Sequence, residues 1–317
     1  MLVPYGEPIL EQPSEVEIAI ELFLKRHPRF REALAGPRAI RRAWIEWRQR
    51  PSDVVLERIS EIVKENIVFE AREFNGIFSI NPRSHLLQRL LRNGYYEPRI
   101  SRLFLAYVQP EGDVLDVGAN IGFFTIAGAQ KLTTGRLLAA EPTTEAFSRL
   151  SENVTRNGVA DRVILFKGMI GSAKGQAQIH FVPGCEEYSS MDRPEHIAIR
   201  GKEIKTETVP IERLDDLVDC HGLRPTVMKV DVEGAESSVF SGAQSTISKH
   251  RPVVISEIWR KPTNADGHSG AEIIRMFERL DYVVRNPNDP LAKPGLDMIG
   301  EIICIPKEKY DPSVLQF

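Results

Sequence analysis

The sequence predicts an α/β fold in which helices cover both faces of a mostly parallel sheet, with a helical region before it. Two observations lead to this prediction. After Gly112, short apolar runs alternate with segments of helical spacing, which is the pattern of successive β-α-β units. Glycines also follow the first apolar run at once, as where a strand turns directly into a helix.

The apolar runs and the helical segments give approximate boundaries for the elements. We predict seven strands, at residues 113–117, 136–141, 162–166, 226–231, 252–258, 281–285 and 299–305. We predict helices after several of these strands, at residues 121–132, 143–157, 235–249 and 269–280.

The first predicted strand runs into a glycine loop that opens a helix. Gly118 and Gly122 allow the backbone to bend there and to approach a ligand closely. Glu141 ends the next apolar run, just before Pro142. Its carboxylate is therefore expected at the tip of the neighbouring strand, where it can accept hydrogen bonds from the hydroxyls of a bound ribose.

The loop fits S-adenosylmethionine better than it fits a dinucleotide. Asn120 stands where the G-x-G-x-x-G pattern of dinucleotide sites has its middle glycine. A side chain at Asn120 would crowd a pyrophosphate, but it can hydrogen-bond the amino-acid end of S-adenosylmethionine, whose ammonium Asp116 can attract. An NAD-dependent oxidoreductase and a glycine turn without a ligand are the weaker alternatives.

A second group of acids follows the later strands. Asp231 and Glu257 end the fourth and fifth predicted strands, so both should face the crevice at the carboxyl ends of the sheet. An alcohol acceptor needs a base that takes its proton, and we rank these two residues first for that role. Glu233 and His268, which lie in loops, are further candidates, whereas Glu236 is expected to stabilise a helix N-terminus.

Three segments carry a resemblance to a known family: Asp116–Gly122, Glu141–Pro142 and Met228–Glu236. Together they resemble the FkbM family of S-adenosylmethionine-dependent methyltransferases. The resemblance covers roughly residues 94–305, from the approach segment Gly94–Pro98 to the last predicted strand. It implies a Rossmann-like class I methyltransferase fold of seven strands, usually with one strand reversed. It also implies methyl transfer, typically to a hydroxyl or carboxyl oxygen of a sugar or secondary metabolite.

The expected cofactor is S-adenosylmethionine. Its predicted binding residues include Glu97, from the approach segment, and Met169, after the third strand. The full set is Glu97, Asp116, Gly118, Asn120, Gly122, Thr125, Glu141, Pro142 and Met169. A protein of a different class, a cofactor-binding regulatory or interaction protein without catalysis, remains the alternative, because a fold alone does not imply activity.

Residues 168–210 interrupt the regular alternation of strands and helices. The interval is too long for a simple crossover, and we expect a hairpin around residues 176–181. Long insertions beside a cofactor site often form an acceptor pocket or a lid. Candidates for contact with the acceptor are Tyr188, Ser189, Ser190 and Met191. A surface loop without such a role is the competing interpretation.

Residues 1–93 are predicted to form a helical region before the methyltransferase domain at residues 94–317. An amphipathic segment at 54–68 follows an arginine-rich stretch that contains Trp44 and Trp47. Three roles compete for this region. It could bind a phosphorylated or carrier-bound substrate, form a homodimer contact, or pack a solvated helix face against the methyltransferase domain.

Composition narrows the partners and the compartment. The net charge of −3 gives no global attraction to nucleic acid or to an anionic membrane, so we expect a small-molecule or glycan acceptor. The N-terminus does not resemble a signal peptide, and we expect a cytoplasmic protein. The three cysteines lack the spacing of a zinc site. Mg²⁺ held by the strand-tip acids is possible in principle, but we do not favour it.

Overall fold

The computed structural model describes residues 2–3, 65–93, 95–190, 203–258, 270–289, 294 and 300–315. The arginine-rich N-terminal stretch, Met191 and His268 lie outside these residues, so the predictions made for them stay predictions. Within the described part of the chain, none of the helices combines the length and the apolar character that crossing a membrane requires.

The elements are numbered in chain order. The strands are β1 (Leu2–Val3), β2 (Ile67–Ala71), β3 (Gly76–Ile80), β4 (Asp113–Val117), β5 (Leu137–Glu141), β6 (Val163–Lys167), β7 (Met169–Ile170), β8 (Gly175–Val182), β9 (Cys185–Ser190), β10 (Lys205–Glu212), β11 (Pro225–Val230), β12 (Val253–Ile258), β13 (Tyr282–Arg285) and β14 (Gly300–Pro306). The helices are α1 (His85–Asn93), α2 (Pro98–Tyr107), α3 (Phe123–Lys131), α4 (Thr144–Arg156), α5 (Leu214–His221), α6 (Glu236–Ser241), α7 (Gln244–His250) and α8 (Gly270–Arg279).

The main sheet has seven strands in the order β13-β14-β12-β11-β4-β5-β6. Strand β14 runs antiparallel to both of its neighbours, whereas the other pairs are parallel. This is the class I methyltransferase fold, and all seven predicted strands are confirmed to within one residue at each end. The chain moves outward from β4 through β5 and β6 and later returns to β11 on the other side of β4. The crevice between β4 and β11 is therefore the place where ligands bind in such sheets.

The predicted helix at 235–249 is wrong in one respect, because the chain forms two helices, α6 and α7, that meet at Gly242. A Cβ at Gly242 would lie 2.0 Å from the carbonyl oxygen of Gly171. The carbonyl oxygen of Gly242 also accepts the Asp215 N–H at 2.9 Å. The close backbone approach requires glycine at this position, and the helix is interrupted there.

The helical prediction for the N-terminal region is wrong for residues 67–80, which form the antiparallel hairpin of β2 and β3. Two side-chain amides, Asn153 of α4 and the C-cap residue Asn157, occupy the free edge of β3. Asn153 accepts the Ser79 N–H at 2.7 Å and donates to the Ser79 carbonyl at 3.2 Å. Asn157 binds Ile77 in the same reciprocal manner, at 2.8 and 2.7 Å. The two amides take the place of a neighbouring strand, which satisfies the edge and fixes the hairpin against the main domain.

The hairpin shares its hydrophobic core with the methyltransferase sheet. Phe74, in the short 3-10 turn between β2 and β3, stacks on Phe123 at the start of α3, with 4.8 Å between ring centroids. Phe78 packs edge-on against the same ring at 4.7 Å. The described part of the N-terminal region is thus joined to the glycine loop by aromatic packing.

The insertion forms a second sheet with the order β7-β10-β8-β9. The expected hairpin around residues 176–181 is confirmed, since these residues lie in β8, which pairs antiparallel with β9 after a turn at 183–184. Contacts with the start of α4 connect the insertion to the main domain. Thr144 donates from its backbone N–H to Glu207 at 2.7 Å, and Gly184 donates to Glu145 at 3.1 Å.

Candidate active site

The glycine loop between β4 and α3 lies directly on the tip of β11. Gly118 has φ +81°, and a Cβ there would lie 1.8 Å from the carbonyl oxygen of Asp231. Asp231 in turn donates its backbone N–H to the Val117 carbonyl at 2.9 Å. Gly122 and Asn120 also adopt positive φ angles, of 97° and 50°. Only glycine at 118 permits this contact, which brings the predicted cofactor loop and the predicted catalytic strand together.

Glu141 ends β5 beneath this loop and is only 4% exposed. One carboxylate oxygen accepts the Asn120 N–H at 3.0 Å, and the other accepts the Thr143 N–H and hydroxyl at 3.0 and 2.7 Å. Burial raises the pKa of Glu141 to about 7, although these hydrogen bonds favour the charged form. Gly168 donates to the Glu141 carbonyl at 3.2 Å, so Met169 lies beside the same strand tip.

Asp116 lies inside β4 and is 1% exposed. Burial raises its pKa, while Lys229 and the hydroxyl of Thr125 oppose the increase. The Thr125 hydroxyl donates to the Asp116 carboxylate at 2.6 Å. Thr125 is itself fully buried and supports Asp116, and its predicted part in cofactor binding stays a prediction.

A cleft opens at the carboxyl ends of β11 and β12, next to the loop. Four carboxyl groups and one ammonium group face the cleft. Their residues lie in, or directly beside, α2, β11, β12 and β14. The cleft is lined by Glu97, Ile100, Lys229, Val230, Asp231, Ile255, Ser256, Glu257 and Glu301. The structure therefore brings together Glu97, Asp231 and Glu257, which were predicted from the sequence.

Lys229 lies at the centre of the acids and is 7% exposed along its side chain. Its ammonium bonds to the Asp231 carboxylate at 2.9 Å and lies 4.4 Å from the ring centroid of Phe124. Burial alone would lower the pKa of Lys229, but the attraction of Asp231, Glu97 and Asp116 raises it above its usual value. The side chain thus stays charged and holds the carboxylate of Asp231 in a fixed position.

Glu257 and Glu301 lie opposite each other across the antiparallel pair β12 and β14. Burial, reinforced by the charges of Asp231 and Glu97, raises the pKa of Glu257 to about 7. Burial followed by the charge of Glu97 raises the pKa of Glu301 to about 7 as well. Glu301 was not predicted as a site residue. The available signal was its position at the start of the strand that reverses direction beside β12.

The remaining predicted residues have different positions. Glu233 adopts a left-handed conformation after β11, with φ 52°. Glu236 accepts the Gly234 N–H at 2.9 Å, which agrees with its predicted role at a helix start. Tyr188, Ser189 and Ser190 lie in β9, at the outer edge of the second sheet, and none of the residues described as lining the cleft comes from that strand. In the described ranges, His, Cys, Asp and Glu side chains form no group of three that could hold a metal ion.

A family comparison bears directly on this site. Residues 116–284, more than half of the chain, match the family model described as the methyltransferase FkbM domain. The chain belongs to the FkbM methyltransferase family. The matched segment of this FkbM-family protein begins at Asp116, the buried aspartate of β4, and includes Glu141, Asp231 and Glu257.

Curated relatives and solved structures are similar over part of the chain. Methyltransferase sdnD of Sordaria araneosa is 28% identical over 170 residues, which are 46% of this chain and 66% of that protein. The 2-O-methyltransferase NoeI of Sinorhizobium fredii is 28% identical over 153 residues, 45% of this chain and 62% of that one. The chain thus spans less than two thirds of the length of both. The crystal structure of methyltransferase FkbM from Methylobacillus flagellatus KT has a TM-score of 0.39 and 14% identity, over 81% of this chain and 59% of that chain.

Proposed function

We propose that this FkbM-family protein is an S-adenosylmethionine-dependent O-methyltransferase that acts on a hydroxyl, or a carboxyl, of a sugar, glycan or secondary metabolite. The observation that carries the proposal is the contact between Gly118 and the Asp231 backbone. This contact joins a loop suited to a nucleoside cofactor to a cleft lined by acids. A methyl donor on the loop and an acceptor in the cleft would then be neighbours, which is the arrangement that in-line transfer requires.

The residues of the loop fit the proposed donor. The side-chain carbonyl oxygen of Asn120 is buried and has no hydrogen-bond partner among the residues that the structure describes. A buried acceptor without a partner is costly, and the ammonium of the donor's amino-acid end would satisfy it. Glu141 retains one lone pair for a ribose hydroxyl, since its two oxygens have about four lone-pair sites and accept three hydrogen bonds. Pro142 and Met169, on either side of the β5 tip, would border the nucleoside.

When bound, S-adenosylmethionine supplies an electrophilic methyl group on a sulfonium, and the protein must supply the base. We propose Glu257 for this role. Its pKa, raised by burial to about 7, suits proton transfer near neutrality. Asp231 is instead engaged with Lys229 at 2.9 Å, so we assign it to orienting the acceptor hydroxyl. Glu233 and His268 rank behind these two residues.

The proposal is tested in two steps. Calorimetry of the full-length protein with S-adenosylmethionine should show binding, and NAD should show none. A panel of neutral sugars, uronic acids and polyketide alcohols is then screened by mass spectrometry for products that carry one added methyl group. Binding together with transfer would support the O-methyltransferase. Binding without transfer to any acceptor would favour the regulatory protein, and absence of donor binding would refute the proposal.

A further inference from the structure

We propose that the β2–β3 hairpin, which precedes the family-matched segment, is part of the active site, and that Glu73 is a positioning residue which acts on Glu97 through Tyr96. The role of Glu97 in holding the donor rests on the function proposed above. The positioning of Glu97 rests on contacts within the chain itself.

The first contact fixes the backbone beside Glu97. The carboxylate of Glu73, in the turn between β2 and β3, accepts the Tyr96 N–H at 2.9 Å. The next residue, Glu97, has φ 45° and ψ 52°, in the left-handed region. Residues other than glycine adopt this conformation only where their surroundings hold them in it. Glu73 supplies such a constraint from a segment more than twenty positions earlier in the chain.

The second link joins Tyr96 to the side chain of Glu97. The two side chains interact, since the charge of Glu97 raises the pKa of Tyr96 and Tyr96 lowers the pKa of Glu97. Burial, followed by the charges of Glu97 and Asp231, raises the pKa of Tyr96 well above its usual value, so the hydroxyl keeps its proton and remains a donor. Glu73 thus holds the backbone of Tyr96, and the side chain of Tyr96 in turn interacts with Glu97.

The ring of Tyr96 joins this arrangement to the cofactor loop. Its centroid lies 5.4 Å from that of Phe123, the first residue of α3, and 6.4 Å from that of Phe74. The Arg89 guanidinium lies over the same ring, 4.9 Å from its centroid. The hairpin, the glycine loop and the Tyr96–Glu97 pair therefore pack as one unit. Displacing the hairpin would move Glu97 relative to Lys229 and the donor loop.

The inference is tested with Glu73→Ala, Glu73→Gln and a matched control, Glu70→Ala, which alters an exposed glutamate on the same hairpin. Hydrogen exchange at the Tyr96 amide should accelerate in Glu73→Ala and stay slow in Glu73→Gln, since glutamine keeps the acceptor oxygen. Affinity for S-adenosylmethionine, measured by calorimetry, should fall about fivefold in Glu73→Ala, the factor for one ordinary hydrogen bond. Glu73→Gln should restore the affinity, and Glu70→Ala should match the unaltered protein in both measurements.

A double-mutant cycle separates positioning from a general structural effect. In a Glu97→Gln background, Glu73→Ala should cause little further loss of donor affinity, because its effect passes through Glu97. An additive loss, or unchanged exchange at the Tyr96 amide, would overturn the inference. If the unaltered protein bound no S-adenosylmethionine, the proposed function would fail, while the exchange measurement would still decide whether Glu73 positions Tyr96.

Discussion

The proposed base gives a quantitative expectation for the pH dependence of turnover. Burial raises the pKa of Glu257 to about 7. The ionised carboxylate, which takes the proton from the acceptor hydroxyl, therefore predominates only above about pH 7. Because kcat/KM reports the ionisation of the free enzyme, kcat/KM should fall roughly tenfold between about pH 8 and about pH 6. A catalytic carboxylate of ordinary pKa would keep kcat/KM constant over this range. The profile thus distinguishes a buried base from a solvated one.

Glu257→Gln removes the base while preserving the shape of the side chain. We expect kcat to fall by about 10²- to 10⁴-fold and the dependence between about pH 6 and about pH 8 to disappear. Release of S-adenosylhomocysteine is the assay, with an acceptor found in the mass-spectrometric screen. Glu278→Gln, on the exposed side of α8, is the matched control and should leave the profile unchanged. A Glu257→Gln enzyme with nearly full turnover would refute the assignment.

Three further substitutions test the supporting structure. Asn153→Ala leaves the buried backbone groups of Ser79 and Ile121 without partners and should lower the free energy of unfolding in urea by about 3 kcal/mol, more than the loss in Asn157→Ala. Lys229→Met should lower the free energy of unfolding by about 3 kcal/mol as well, because the Asp231 carboxylate loses its buried partner. A smaller decrease for Lys229→Met than for the substitution of an exposed lysine would contradict this expectation. Gly118→Ala, whose Cβ would overlap the Asp231 carbonyl, should abolish measurable donor binding in calorimetry.

The central strands β4, β5 and β11 could be predicted because they are buried on both faces and therefore form nearly continuous apolar runs. The hairpin could not be predicted in this way. Its edge is completed by Asn153 and Asn157, which lie more than seventy residues later in the chain. Pairing of this kind depends on tertiary contacts that no local pattern contains. The break at Gly242, in contrast, had a local signal in the glycine itself.

The candidate site was predicted in outline, because strand tips are identifiable in sequence and acids at those tips stand out. Two details required the structure. Lys229 precedes Asp231 by two positions, which places both residues on one face of a strand. Only the structure shows that their side chains form an ion pair. Glu301 faces Glu257 only because β14 runs antiparallel to β12, and the register of that pair was not apparent from the sequence.

The buried acids also predict that donor binding releases protons. The pKa of Glu141 and that of Glu257 are raised from 4.5 to about 7, chiefly by burial. Their contribution to stability is therefore fully present below about pH 4.5 and is lost as the pH rises through about 7, by up to about 3 kcal/mol for Glu141.

A cationic donor favours the ionised forms and lowers these pKa values again. Calorimetry at about pH 6.5, in buffers of different ionisation enthalpy, should detect proton release with S-adenosylmethionine and less with S-adenosylhomocysteine, which lacks the sulfonium charge. Equal release with both ligands would show that the acids do not sense the charge of the reacting group.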